Sequence, residues 1–235
     1  MYKTFAAVSL IALSACGPEV ESFEGDSLAS LERSDKAGVQ VVHLSPDAPA
    51  VDIVVNGFNR IYTDVPYLAA TELLRVRPNT YGLDVVAAGG EPPGVIVADV
   101  ELEARTFYTI VAWDELASIK PAVLVNSLAG IPDGFIRLQV THTAVGVGTV
   151  DVWDLGSGVK IIDDFEFGAT GVLDVPAGAL DVGLDLDEDA VPDVTFAVPD
   201  LGADTLVNVF PISDDDGVAL FAVYSDGVTA RVDAD

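Results

Sequence analysis

From residue 39 onward, apolar residues come in runs of five to eight, broken by clusters of glycine, proline, asparagine and aspartate. Valine-rich runs of that length, bounded by turn formers, predict strands. In the first half they cover 39–44, 51–55, 71–76, 82–87, 95–102, 107–113 and 122–127. Turn signals stand between them: Ser45-Pro46-Asp47-Ala48-Pro49, Asn56-Gly57, Pro78-Asn79 and Gly89-Gly90. No segment keeps a helical period. This density of short strands is the pattern of a β-sandwich.

The pattern then repeats. Val41-Val42-His43 aligns with Val140-Thr141-His142, and Val51-Asp52-Ile53 with Val150-Asp151-Val152. Pro78-Asn79-Thr80-Tyr81 aligns with Pro176-Ala177-Gly178-Ala179, and the block 107–111 with 205–209, all at an offset of 98 or 99 residues. A near-constant offset across separated blocks predicts two copies of one unit, joined near Ala129-Gly130-Ile131-Pro132-Asp133-Gly134. The expected fold is all-β: two tandem immunoglobulin-like or transthyretin-like β-sandwich domains, over 38–129 and 134–235. Each is long enough for its own core.

The chain opens differently. Lys3 precedes an apolar run over 5–13, and Leu13-Ser14-Ala15-Cys16 follows with the only cysteine. The run is too short to cross roughly 30 Å of hydrocarbon. It reads as a lipoprotein signal peptide over 1–15, cut before Cys16, with lipid on that sulfur as the membrane anchor. Gly17 rather than aspartate follows Cys16; by resemblance to bacterial lipoproteins, that favours the outer membrane of the cell envelope, on its periplasmic or surface face. Residues 16–37 are rich in Ser, Glu, Gly and Asp and read as a flexible acidic tether.

Charge narrows the partners. Thirty-eight acidic residues against eleven basic ones give a net charge of −27. That surface repels phosphate backbones and excludes nucleic acid as a partner. With Cys16 acylated no disulfide can form, so packing alone must hold the fold.

Three groups of residues are candidates for chemistry. His43 and His142, the only histidines, are each followed nine residues later by an aspartate, Asp52 and Asp151. A metal or acid–base pair is one reading, but zinc needs three or four ligands and each copy offers one histidine. The plainer reading is structural, with His43, Asp47, Asp52, His142 and Asp151 tying turns through backbone hydrogen bonds. Ser45 beside His43 lacks the Gly-x-Ser-x-Gly elbow of a hydrolase. The second group is Asp185, Asp187, Asp189 and Asp193, whose alternating carboxylates fit Ca²⁺. Ala190 stands where such loops carry glycine, and a solvated hairpin tip is the alternative. Asp214-Asp215-Asp216-Gly217 is a second acidic turn. Third, Trp113, Trp153, Tyr62, Tyr67 and Tyr108 could line a sugar-stacking face, although most lie within strand runs and their positions do not recur between copies.

The stretch 39–57, with His43-Leu44-Ser45-Pro46-Asp47-Ala48-Pro49, Val51-Asp52 and Gly57, resembles the opening of the family domain of unknown function 4397. Tyr67 and the segment 74–81 resemble that family's aromatic and its Leu-x-Val-Pro-x-Gly-x-Tyr segment. The second copy keeps Val172-Leu173-Asp174-Val175-Pro176-Ala177-Gly178 but shows Thr143-Ala144-Val145-Gly146 in place of the proline-rich turn. The resemblance implies small β-sandwiches in envelope or secreted proteins and supplies no catalytic residue. The expected function is non-catalytic: a surface spacer or an adhesion and binding module with an unidentified protein or glycan ligand and no required cofactor. The alternatives are a calcium-stabilised or glycan-binding surface protein, and, less favoured, a hydrolase.

Overall fold

The computed structural model describes residues 34–235 and the two-residue strand Glu21–Ser22. The predicted signal peptide, Cys16 and the rest of the predicted tether lie outside the described residues. Among the described residues there is no helix.

The first half contributes β1 (Glu21–Ser22), β2 (Ala37–Leu44), β3 (Val51–Val55), β4 (Asn59–Val65) and β5 (Ala69–Ala70). It continues with β6 (Leu74–Val76), β7 (Asn79–Ala87), β8 (Ile96–Leu102), β9 (Phe107–Trp113) and β10 (Lys120–Asn126). One sheet runs β1-β6-β2-β9-β10, with β5 also on β2; the other runs β4-β3-β7-β8. The second half contributes β11 (Phe135–Thr141), β12 (Val150–Asp154), β13 (Val159–Phe165), β14 (Thr170–Pro176) and β15 (Leu180–Asp185). It ends with β16 (Val194–Val198), β17 (Leu206–Asp214), β18 (Gly217–Tyr224) and β19 (Thr229–Asp233). Its sheets run β14-β11-β17-β18-β19 and β13-β12-β15-β16. The fold is all-β, and each half is a sandwich of two sheets.

Three local expectations change. β4 is not among the predicted strands, because its Asn59, Arg60, Thr63 and Asp64 break the apolar run; an edge strand tolerates such residues because one side faces water. The predicted run 71–76 keeps only Leu74–Val76 as β6, with β5 formed ahead of it, because Thr71 turns inward and its hydroxyl accepts the Val41 N–H at 3.0 Å. Within the predicted tether, Glu21 and Ser22 pair with Arg75 and Leu74 of β6 and form the edge of that sheet.

Strand register also corrects the repeat. The parallel pair β2–β9 sets Gln40 opposite Thr109, and the parallel pair β11–β17 sets Gln139 opposite Asn208. Asp52 faces Val86, and Asp151 faces Asp185. These blocks are therefore offset by 99 throughout. The 98 read for 78–81 and 107–111 was one residue short, because runs of similar valines align almost equally well in either register. The hairpin β12–β13 holds one more residue than β3–β4, so Asp64 and Asp164 occupy the same place 100 residues apart.

Three apolar layers hold the stack. Val39, Val41, Ile53, Val85 and Ile110 centre the first core, and Leu138, Val152, Leu184, Phe196 and Val207 the second. Between them the sheet of β2-β9-β10 packs face to face on that of β17-β18. This seam buries Val42, Leu44, Val111, Trp113 and Leu124 against Phe210, Ile212, Ala219, Phe221 and Val223. Side chains alternate along a strand. In β9, Tyr108, Ile110 and Ala112 therefore enter the first core while Thr109, Val111 and Trp113 enter the seam. Burial on both faces explains why β2 and β9 are apolar almost without alternation.

Candidate functional site

The two histidines sit in equivalent turns and are fully buried. His43 Nε2–H donates to the Pro49 carbonyl at 3.2 Å, and His142 Nε2–H donates to the Gly148 carbonyl at 2.9 Å. Both bonds close a loop six residues long, so the geometry recurs although the Ser-Pro-Asp-Ala-Pro sequence does not. His43 Nδ1 accepts the backbone N–H of Ser45 at 3.4 Å. That fixes a neutral imidazole, and burial pushes both histidines below the ordinary value of 6.5. The serine hydroxyl is not what meets the ring, and Ser45 is itself buried. Each ring also meets an aromatic edge: His43 on Tyr67 at 6.4 Å and His142 on Phe167 at 5.7 Å between centroids. Tyr67 and Phe167 are thus structural equivalents, which corrects the expectation that aromatic positions do not recur. The longer second hairpin had hidden the match.

The two aspartates engage other partners. Asp52 accepts the N–H of Asp64 at 2.7 Å and of Gly89 at 2.9 Å, and pairs with the Arg60 guanidinium. Burial would raise this carboxyl, but those N–H donors and Arg60 hold it below the usual range. Asp151 accepts the N–H of Asp164 at 2.9 Å and pairs with Lys160 at 2.5 Å; the Lys160 ammonium, then that N–H, lower its pKa. Asp64 and Asp164 both have positive φ, 56° and 51° respectively. Each buried carboxylate therefore fastens a bulged hairpin, and a basic residue eight or nine positions downstream was the sequence signal for it. Asp47 fastens a third contact, accepting the N–H of Leu116 at 2.7 Å.

The acidic loop between β15 and β16 folds around Asp185, which is fully buried. Its carboxylate accepts N–H groups from Asp187 at 3.3 Å, Glu188 at 2.8 Å and Ala190 at 2.8 Å. Ala190 takes the left-handed conformation, φ 66°, that the turn requires. Asp193 accepts the Leu186 N–H at 2.8 Å. Carboxylate oxygens of Asp185, Asp187 and Asp193 lie within 4.8 Å of one another, while Asp189 stands outside that group and caps Val191.

The seam is where the two halves meet in a regular way. Thr109, Val111, Trp113, Ala122 and Leu124 have as register equivalents Asn208, Phe210, Ile212, Phe221 and Val223, and both sets face the seam. The same face of each half is used, and Asn208 Nδ2 donates directly to the hydroxyl of its own equivalent, Thr109, at 3.2 Å. That is the contact pattern of a two-fold axis. Asn126 Nδ2 donates to the same hydroxyl at 2.8 Å, and Gln40 Nε2 reaches across to the Tyr224 carbonyl at 3.0 Å. Trp113 packs edge-on against Phe167 at 5.1 Å and lies over Gly168, where a Cβ would stand 2.6 Å from the indole.

Above one end of the seam opens a cleft of about 630 Å³. Equivalent residues line it from both halves, Pro46 with Val145 and Glu115 with Asp214, together with Asp47, Tyr67, Ser213, Asp215 and Asp216. Burial, then the Asp214 charge, raises the Tyr67 phenol, so it stays protonated as a donor. Arg231 holds Asp214 ionised. Ser213 donates to the Val145 carbonyl at 2.6 Å. The cleft thus presents one phenol, one ring face and several acceptors. Tyr67 and Asp214–Asp216 stand far apart in the sequence, and nothing local joins them, because the cleft needs the seam.

No curated protein matches the chain. Among solved structures, the chain is similar to one described as alpha-glucan binding by a streptococcal virulence factor, at 14% identity and TM-score 0.27, covering 77% of this chain and 95% of that one. It is also similar to one described as alpha-glucan recognition by family 41 carbohydrate-binding modules from streptococcal virulence factors, at 12% identity and TM-score 0.26, covering 77% and 96%. Residues 37–153 match the family model described as Domain of unknown function (DUF4397), so the first sandwich, with the opening strands of the second, is of that family.

Proposed function

We propose that this protein is a non-catalytic envelope lipoprotein, anchored by lipid on Cys16, whose two sandwiches act as one stiff binding unit. The observation that carries this reading is the fate of the recurring polar residues. His43, His142, Asp52, Asp151 and Asp47 are each engaged by backbone groups or a neighbouring cation. They tie turns, and none is poised as a base beside a free nucleophile. The open surface with ligand dimensions is instead the cleft on the seam. Its acceptors and the Tyr67 ring suit a neutral, hydroxyl-rich ligand, that is, a glycan. Anionic ligands are disfavoured by Asp47, Glu115 and Asp214–Asp216.

The anchor is tested by feeding cells an alkyne fatty acid: label on the wild type and none on Cys16→Ser supports it, and an unlabelled wild type rejects it. The cleft is tested on a glycan array. Binding that drops at least tenfold in Tyr67→Ala supports the reading; no bound glycan, or one indifferent to Tyr67, rejects it. A calcium-stabilised protein is the second reading, favoured by the convergence of Asp185, Asp187 and Asp193. It requires a rise in Tm with millimolar Ca²⁺ that Asp187→Ala removes.

A further inference from the structure

The second sandwich ends on a strand that has no counterpart in the first. β9 and β10 correspond to β17 and β18, with Ala122 and Leu124 in the places of Phe221 and Val223. β19 pairs antiparallel along the outer edge of β18. Among the described residues β10 pairs with β9 alone, so its outer edge is open. Side chains record the difference. Ala230 and Val232 of β19 lie on the second core beside Leu220 and Ala222, each 5% exposed. Pro121 and Val123 hold the equivalent places on β10; Pro121 is exposed and Val123 is 43% exposed. Val125, in the place of Tyr224, is 55% exposed. Beyond β19 the chain end reaches β16, where the Asp235 N–H donates to the Thr195 carbonyl at 3.0 Å. Val97 of β8 holds the place of Thr195 and is 63% exposed. The duplicate thus shows what such an edge takes: a short antiparallel strand.

We propose that the outer edge of β10 takes an extended basic segment of a partner protein, laid antiparallel as β19 is laid on β18, with small apolar residues opposite Pro121 and Val123 and an arginine or lysine opposite Ala122. An open edge presents unpaired N–H and C=O groups, which give affinity, and alternate side chains give specificity. Pro121 has no N–H to offer, and an edge strand is where proline is tolerated. The basic position follows from the duplicate. Arg231, opposite Phe221, pairs with Asp214, and the equivalent of Asp214 is the exposed Glu115. Asp99 and Glu101 of β8 are exposed as well, on a chain of net charge −27. That same charge disfavours a second copy of this chain, whose own β19 is engaged on β18. Glu115 borders both this edge and the cleft on the seam, but Pro121, Val123 and Val125 line only the edge. A peptide test read at Val123 and a glycan test read at Tyr67 therefore stand or fall separately.

The test is an NMR titration of the whole protein with a synthetic peptide of residues 227–235 carrying Asp233→Lys and Asp235→Lys. Saturable amide shifts along Lys120–Asn126 are expected, with cross-strand contacts between the peptide and Val123. Affinity is expected to fall at least tenfold when the peptide also carries Arg231→Glu, and at least tenfold when the protein carries Val123→Lys. Absence of saturable shifts, shifts confined to β18 through displacement of β19, or an affinity unchanged by either substitution overturns the proposal. So does a dimer of the peptide-free protein in sedimentation that Val123→Lys dissolves, because a second copy then holds the edge. If Val123→Lys does not fold, amide exchange in the wild type decides: peptide-induced protection within 120–126 supports the site, and protection only elsewhere rejects it.

Discussion

The two sandwiches share one strand plan, one histidine turn and one carboxylate-fastened hairpin, yet their interiors differ. Among the described residues, eighteen are buried in the first core and Ile61, Tyr62, Ala69 and Ile119 pack against them half-exposed. In the second, twelve are fully buried and sixteen stand half-exposed around them. Backbone topology is therefore not what decides how tightly such a sandwich closes. Side-chain volume at a few inward positions decides it, and Tyr81 against Leu180 is the clearest case. The seam shows the opposite behaviour. There both halves supply bulky residues, Trp113 from one and Phe210 and Phe221 from the other, and all three are buried.

The comparison can be broken hardest at the seam. Phe210 is fully buried there, and Phe210→Ala is expected to lower stability by about 3–5 kcal/mol. Urea unfolding measures it; a loss under 1 kcal/mol would mean that the halves do not support each other. Next comes the pair of buried carboxylates. Asp52→Asn is expected to cost about 2 kcal/mol and Asp151→Asn about 1 kcal/mol. Asp52 serves two backbone N–H groups and an arginine, whereas Asp151 serves one backbone N–H and a lysine. The reverse order in a denaturation series would contradict this assignment.

Gly168→Ala tests the same seam from its rim. Its φ of +85° and the indole 2.6 Å from the added Cβ predict a loss of about 1–3 kcal/mol. The smallest expected effect concerns pH. Both histidines titrate lower in the folded state than their ordinary 6.5. The unfolded chain then takes up protons first, so stability is intact above about pH 6.5 and falls as pH drops below it. Folded-state carboxyl groups lowered by their partners, Asp52 and Asp151, add a further loss at lower pH, as they become protonated. Thermal melts from pH 7.5 to 5 should show the decline beginning near 6.5, and a shallower one in His43→Gln. A flat profile across that range would remove the buried-histidine account.

Much of this was readable beforehand, and for identifiable reasons. Valine runs between turn formers gave the strands, since propensity and turn chemistry are local. His43 with Asp52, and His142 with Asp151, gave the duplication, because the turn and the hairpin they fasten demand those side chains in both copies. β4 was not legible, because an edge strand does not need an apolar face. The register came out one residue off at 107–111, because a valine run looks the same after a shift of one.

What the chain determined by itself is thus the all-β class, the repeat and the buried polar ties, all of which follow from contacts close along the backbone or repeated at a fixed interval. Only the tertiary structure decided that β2 and β9 are covered on both sides, that Thr109 meets Asn208, and that Tyr67 and Asp214 share one cleft. Those contacts join residues about a hundred or more positions apart across a two-fold seam. No local pattern encodes which face meets which; complementary shape and the burial of two apolar faces select it.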